Sequence, residues 1–229
     1  MIEIIAEDTN TFISCVRSNY SRIRDSRDTD GAEIKALLDL LYLAGIYHGN
    51  RVNLEELWRM DDFKLVMNLK KFLFLLRALR LDEINTRAER RGVDRLAPIR
   101  NIFEKFFSNC QKCYSLRENV TSDEKLEGFR GRCGFVQYIP KKTNKYGIKI
   151  YEMVDDRIFY TYDMEVYAGE QPDGPFYVIN KPQDVVKWLI EPIHNTGRNT
   201  TTYNWFSSFE LVRDLDENTL SFVGTLKKK

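Results

Sequence analysis

The chain has 229 residues, of which 43% are hydrophobic and 30% charged. This balance excludes a disordered polymer and leaves length for one large or two small packed cores. The formal net charge of +1 excludes a uniformly charged molecule, but it conceals a segregation along the chain.

Lys and Arg outnumber Asp and Glu by 14 to 7 over residues 87–145, whereas acids outnumber bases by 13 to 5 over residues 151–226. A basic middle beside an acidic end suits a polyanion-contacting surface on a differently charged body, and it equally suits solvated Arg-rich helix faces. No apolar run approaches the roughly 20 residues a bilayer span needs. The most apolar stretch, 72–81, is interrupted by Arg77 and Arg80, so no membrane partner is expected. The start, MIEIIAEDTN, lacks the basic region and apolar core of a signal peptide. Four cysteines in a chain of this length point to free thiols in a reducing compartment. Cys110 and Cys113 form a single CxxC pair. Zinc would need two more ligands, and His48 and His194 lie far off in sequence.

In chain order, helical signals dominate the first half. DGAE (30–33) has the spacing of a capping box, and Ile34, Leu37, Leu38, Leu41 and Leu43 follow at helical intervals. Gly45 and the Gly49-Asn50 turn should end this helix. NLEE (53–56) opens a short second helix with Leu57 and Trp58. A third is expected over 61–81, with Phe63, Val66, Met67, Leu69, Phe72, Leu73, Leu76 and Leu79 inward. Arg77, Arg80, Arg87, Arg90 and Arg91 then make a polar connection. Pro98 sits at a helix start, followed by Ile99, Ile102, Phe103, Phe106 and Phe107.

The period then changes from helical to alternating. Strands are expected over 119–126, 145–154 and 158–168, the last two joined by a turn at Asp155-Asp156-Arg157. Pro182 opens a helix with Val185, Val186, Trp188, Leu189 and Ile190. TTTYNWF (200–206) reads as a strand, and SSFE (207–210) as a capping box launching a helix with Leu211, Val212 and Leu215. A last strand over 220–226 precedes three lysines. The order strand, strand, strand, helix, strand, helix, strand begins a ribonuclease-H-like α/β fold. In that fold the first and fourth strands lie side by side, and carboxylates at their ends hold two divalent ions that act on a phosphodiester. Magnesium is a hard ion that takes oxygen ligands. The first strand offers Asp123; the fourth offers Tyr203. A phenol with a reference pKa of about 10 does not replace a bridging carboxylate.

Several ordered motifs carry a resemblance. SDE (122–124), FRGR (129–132), YIP (138–140) and KYGIK (145–149) stand in this order, followed by Arg198-Asn199, then Asn204-Trp205-Phe206, then VGT (223–225). In this sequence and spacing they resemble the transposase domain of the piggyBac family, and the helical half (33–45, Trp58, 72–79) is similar to its dimerisation and DNA-binding region. The resemblance implies cut-and-paste DNA transposition by three acids with Mg²⁺. Only the first carries over, to Asp123 as the remnant of the triad, because Tyr203 occupies the second position. The chain is expected to be a truncated copy. Residues 1–115 would form the helical region, and 116–229 a partial ribonuclease-H-like domain without the insertion region, third acid, final helix and cysteine-rich module. Asp155 and Asp163 are poor substitutes, one in a hairpin turn and the other on a different strand. An enzymatically inactive remnant that binds no metal is therefore expected.

Residual DNA contact would fall to Arg130, Arg132, Lys141, Lys142, Lys145 and Arg198, since such cations bind phosphates with salt-dependent, largely sequence-independent affinity. Arg87 to Arg100 would add to them. A homodimer or association with a related transposase is the other expected partnership, and the nucleus the expected location. The alternatives are a protein-interaction module built on the helical half and a gene fragment without function.

Overall fold

The computed structural model describes residues 1–47, 52–177 and 181–225. His48, the Gly49-Asn50 turn, Leu226 and the terminal lysines lie outside the described residues. The chain packs as two units, residues 1–91 with 97–102, and residues 92–96 with 103–229.

The first unit is helical. Helix α1 (Ile2–Val16), which no cap or breaker in the sequence singled out, buries Ile5, Ala6, Thr9 and Ile13 along one stripe. Helix α2 (Gly31–Ile46) is capped as expected: the Asp30 carboxylate accepts from the Glu33 N–H at 2.8 Å. Glu33 does not complete the box, because its carboxylate accepts from Thr29 and Arg27 and pairs with Lys71. Helix α3 (Leu54–Leu57) follows, capped by Asn53.

The single helix expected over 61–81 is two. After α4 (Asp61–Lys64), the Asn68 side chain accepts from the Lys71 N–H at 2.9 Å and starts a fresh helix, α5 (Leu69–Ala78). Breaking and restarting the helix changes its phase. Phe63, Met67 and Phe72 are buried as expected, but Val66 and Leu76 are exposed while Phe74, Leu75 and Ala78 point inward. Trp58 sits against Phe63 and Phe72, and its indole N–H donates to the Met67 carbonyl at 2.8 Å. The polar connection folds into α6 (Arg87–Arg91), where Arg87 and Arg90 both pair with the buried Asp82.

Most of α7 (Arg100–Cys113) belongs to the second unit. Phe107 is buried, whereas Phe106 is 47% exposed. The strands are β1 (Asn119–Gly128), β2 (Gln137–Tyr138), β3 (Tyr146–Asp155), β4 (Thr161–Val166), β5 (Asn199–Thr202) and β6 (Ser221–Gly224), with α8 (Pro182–Ile190) and α9 (Phe209–Glu217) between the later ones. The sheet runs β2-β3-β1-β5-β6, and β4 also pairs with β3. β1 is antiparallel to β3 and parallel to β5, which is parallel to β6. On one face Val120, Tyr151 and Met153 pack with Val185, Val186, Leu189 and Ile190 of α8 and with Leu211 and Leu215 of α9. The long crossovers through α8 and α9 are what parallel pairing demands.

Three of the boundaries that differ from expectation have a local cause. β4 starts at Thr161, because Phe159 takes φ 56° to close a turn in which its N–H donates to the Asp155 carbonyl. β5 stops at Thr202: the Tyr203 carbonyl accepts from the N–H groups of Phe206 and Ser207, so 203–206 is a turn. The cap of α9 is Ser208, one residue beyond the expected Ser207, and accepts from the Leu211 N–H at 3.1 Å. Ser207 instead donates to the Tyr203 carbonyl and shares a hydrogen bond with Thr202.

Candidate functional site

The parallel register aligns Ser122 of β1 with Thr202 of β5. One step further along both chains stand Asp123, in the middle of β1, and Tyr203, just past the end of β5, so the two residues singled out in the sequence lie side by side on neighbouring chain segments. Asp123 is half-buried and Tyr203 is 59% exposed. Directly across β1 from Asp123 on β3 is Glu152, and strand alternation puts both carboxylates on one face. Burial pushes the Glu152 carboxyl above its ordinary range; Lys125 opposes this, while Asp123 and Glu127 add to it. The sequence reading missed Glu152, since the long 129–145 connection hides the β1–β3 register.

The two acids considered as substitutes serve other purposes. Asp155 ends β3 fully buried. Burial works against its charge, but hydrogen bonds from the Arg117, Arg157 and Ile158 N–H groups and the Tyr114 hydroxyl outweigh it and hold its pKa below the usual carboxylate range. It is a structural acceptor that closes the hairpin. Asp163 pairs with Met153, which pairs with Ser122, so it shares their face and not that of Asp123. Burial pushes its carboxyl up to about 6, with the Met164 N–H pulling the other way, and Gln111 donates to it at 3.2 Å. Among the described residues no group of three or more His, Cys, Asp or Glu is arranged to hold a metal ion.

The predicted cations divide into two sets. Arg130, Arg132, Lys141, Lys142 and Lys145 lie on the one connection between β1 and β3, and all but Lys142 are exposed. That connection is shaped by β2, by the Ile139 N–H on the Lys145 carbonyl, and by the exposed Tyr138 and Tyr146, whose rings meet at 4.8 Å. Lys142 is half-buried, its ammonium 3.4 Å from the Glu124 carbonyl. Arg198 stands apart. Its guanidinium donates to the carbonyls of Leu116 and Arg117, both at 2.8 Å, tying the start of β5 to the segment before β1.

A further cluster had no signal in the sequence beyond the alternation of Lys149 and Tyr151. The Lys149 ammonium lies 4.7 Å from the Tyr151 ring, 5.7 Å from Tyr167 and 4.3 Å from Trp205. Burial lowers its pKa, Glu124 raises it and Lys142 lowers it further. Burial likewise pushes the Tyr151 phenol up to about 12. Such cation–ring contacts strengthen as water is removed.

A family model described as Transposase IS4 matches residues 1–229. The solved structure of a piggyBac transposase, in a synaptic complex with hairpin DNA, is similar at 33% identity with a TM-score of 0.90, over 100% of this chain and 48% of that one. The chain thus spans about half the length of that transposase. The second unit accordingly has the ribonuclease-H-like α/β architecture.

Proposed function

The chain belongs to the piggyBac-type transposase family, and from that premise we propose that it contacts DNA without cutting it. The observation that carries this reading is the neighbouring placement of Asp123, in the middle of β1, and Tyr203, just past the end of β5. Strand transfer by paired divalent ions needs anionic oxygens at both positions, because Mg²⁺ selects hard oxygen ligands and bridges only charged ones well. The residues present do not fit such a pair. Glu152 stands opposite Asp123 with its ionisation disfavoured, first by burial, and the neighbouring position on β5 is a phenol and not an acid. Losing one member of a catalytic unit commonly costs about 10³- to 10⁶-fold in rate.

The exposed Arg130, Arg132, Lys141 and Lys145 are suited to phosphate contact, which releases counterions and makes affinity fall with salt. The proposed location is the nucleus, in keeping with the family and with duplex DNA as the proposed partner. The test is duplex binding by fluorescence anisotropy over a salt series, together with plasmid nicking in Mg²⁺. Affinity is expected to fall linearly on logarithmic axes, and Lys141→Ala with Lys145→Ala to reduce the slope by about 2. Nicking by the wild type that disappears in Asp123→Ala would overturn the inactive assignment. Binding that ignores salt would overturn the contact.

A second reading, self-association through the helical unit, is supported by Tyr42, Ile46 and Leu65, each more than 70% exposed. Sedimentation equilibrium of the whole chain decides it: a strict monomer at high concentration excludes a dimerisation module.

A further inference from the structure

Trp205 is an unusual tryptophan. It is 44% exposed, yet its ring is fixed from behind. The buried Tyr151 lies parallel to it, 6° between planes at 6.3 Å, and the buried Phe206 meets it edge to face at 4.7 Å. The Lys149 ammonium is held beside the same two rings. A tryptophan whose inner face is anchored in this way presents its outer face to solvent with little rotamer freedom left to lose. Two residues before it, Tyr203 is 59% exposed at the end of β5.

This aromatic surface is continuous with the basic connection. Lys142 reaches the Glu124 carbonyl at 3.4 Å, and Glu124 is paired across the sheet with Tyr151, the ring that the Lys149 ammonium lies against. The path therefore runs from the exposed cations of the 129–145 connection, through Lys142 and Lys149, to Trp205. Rings beside a phosphate-binding track are the arrangement by which proteins hold unpaired strands: bases stack on aromatic faces while cations follow the backbone. A duplex keeps its bases stacked on one another and offers the rings nothing.

We propose that Trp205, backed by Lys149 and Tyr151 and extended by Tyr203, is a stacking platform for the bases of an unpaired DNA strand whose phosphates run along Lys142 and the basic connection. The proposal rests on the DNA-contacting reading above and adds the form of DNA that this surface selects. It also gives Tyr203 a use that an aspartate would not have.

The test compares the whole chain with Trp205→Ala, Trp205→Phe and Tyr203→Ala. Each is titrated with a short labelled DNA strand and with the same strand annealed to its complement. Trp205→Ala is expected to weaken strand binding about tenfold or more while leaving duplex binding unchanged, and Trp205→Phe to retain most of the strand affinity. Duplex binding reports that each variant is folded. Tyr203→Ala, which removes a ring standing free of the core, is expected to weaken strand binding by a smaller factor and keeps the test decisive if Trp205→Ala fails to fold. Strand and duplex affinities that fall together in Tyr203→Ala, or strand affinity that moves in none of the variants that keep duplex binding, would overturn the platform. So would a wild type that binds duplex and ignores the strand; in these cases the DNA-contacting reading stands. A wild type that binds neither form overturns both.

Discussion

At the scale of single residues, the difference between a carboxylate and a phenol at position 203 sets the chemistry available beside Asp123, because an ordinary carboxylate is an anion at neutral pH and an ordinary phenol is not. Two other aspartates show how placement assigns opposite roles to one residue type. Asp155, surrounded by donors, has a lowered pKa and contributes stability that is present above the unfolded value of about 4 and lost as pH falls through the folded one. Asp163 has the reverse sign. Its folded pKa of about 6 lies above the unfolded value of about 4, so the native state keeps a proton that the unfolded chain has already released. Stability should therefore fall as pH rises from about 4 to 6 and stay lower above that window. Asp163→Asn is expected to remove this fall and to be about 1–3 kcal/mol more stable near pH 7, measured by urea unfolding followed through tryptophan emission. An unchanged pH slope in the variant would show that Asp163 is charged at no cost in the native state.

At the scale of elements, local side-chain caps decide where helices start. Asn68 cuts one expected helix into two, and Ser208 sets the start of α9 one residue later than the box pattern suggested. Ser208→Ala is expected to destabilise the second unit by about 1 kcal/mol, whereas Ser207→Ala should leave the helix start in place; equal effects of the two on denaturant midpoints would contradict this assignment. Alternation and turn residues made β1, β3, α2, α8 and α9 legible to within a few residues. The break at Asn68 was not, because an asparagine inside an apolar stripe is read as a tolerated polar position unless its N-cap geometry is known. Helix α1 escaped notice for a related reason: it lacks a side-chain cap and shows itself only through burial. The short β5 was overextended because TTTYNWF keeps strand-forming residues through the turn that follows Thr202.

At the scale of the whole molecule, the order of elements along the second unit was legible, the two-residue β2 apart, because strand and helix signals alternate and parallel neighbours require helical crossovers. The neighbouring placement of Asp123 and Tyr203 followed once that order was read as a ribonuclease-H-like fold, in which the first and fourth expected strands lie side by side. The meetings of Asp123 with Glu152 and of Lys149 with Trp205 did not, since both depend on register and packing across long connections. Charge segregation pointed to the basic connection, but only coordinates separate the exposed cations there from Arg87 and Arg90, which pair with Asp82, and Arg198, which holds two carbonyls. Sequence counts charges; packing decides which of them face solvent.

Divalent-ion binding between Asp123 of β1 and position 203 after β5 is the most direct measurement. Manganese titrated into the wild type, Tyr203→Asp, and Tyr203→Asp combined with Asp123→Ala would be followed by the electron paramagnetic resonance of the free ion. The wild type should retain no manganese through Asp123, Tyr203→Asp should gain binding there, and the double variant should lose it. A wild type that binds manganese as tightly as Tyr203→Asp, and loses it in Asp123→Ala, would contradict the account.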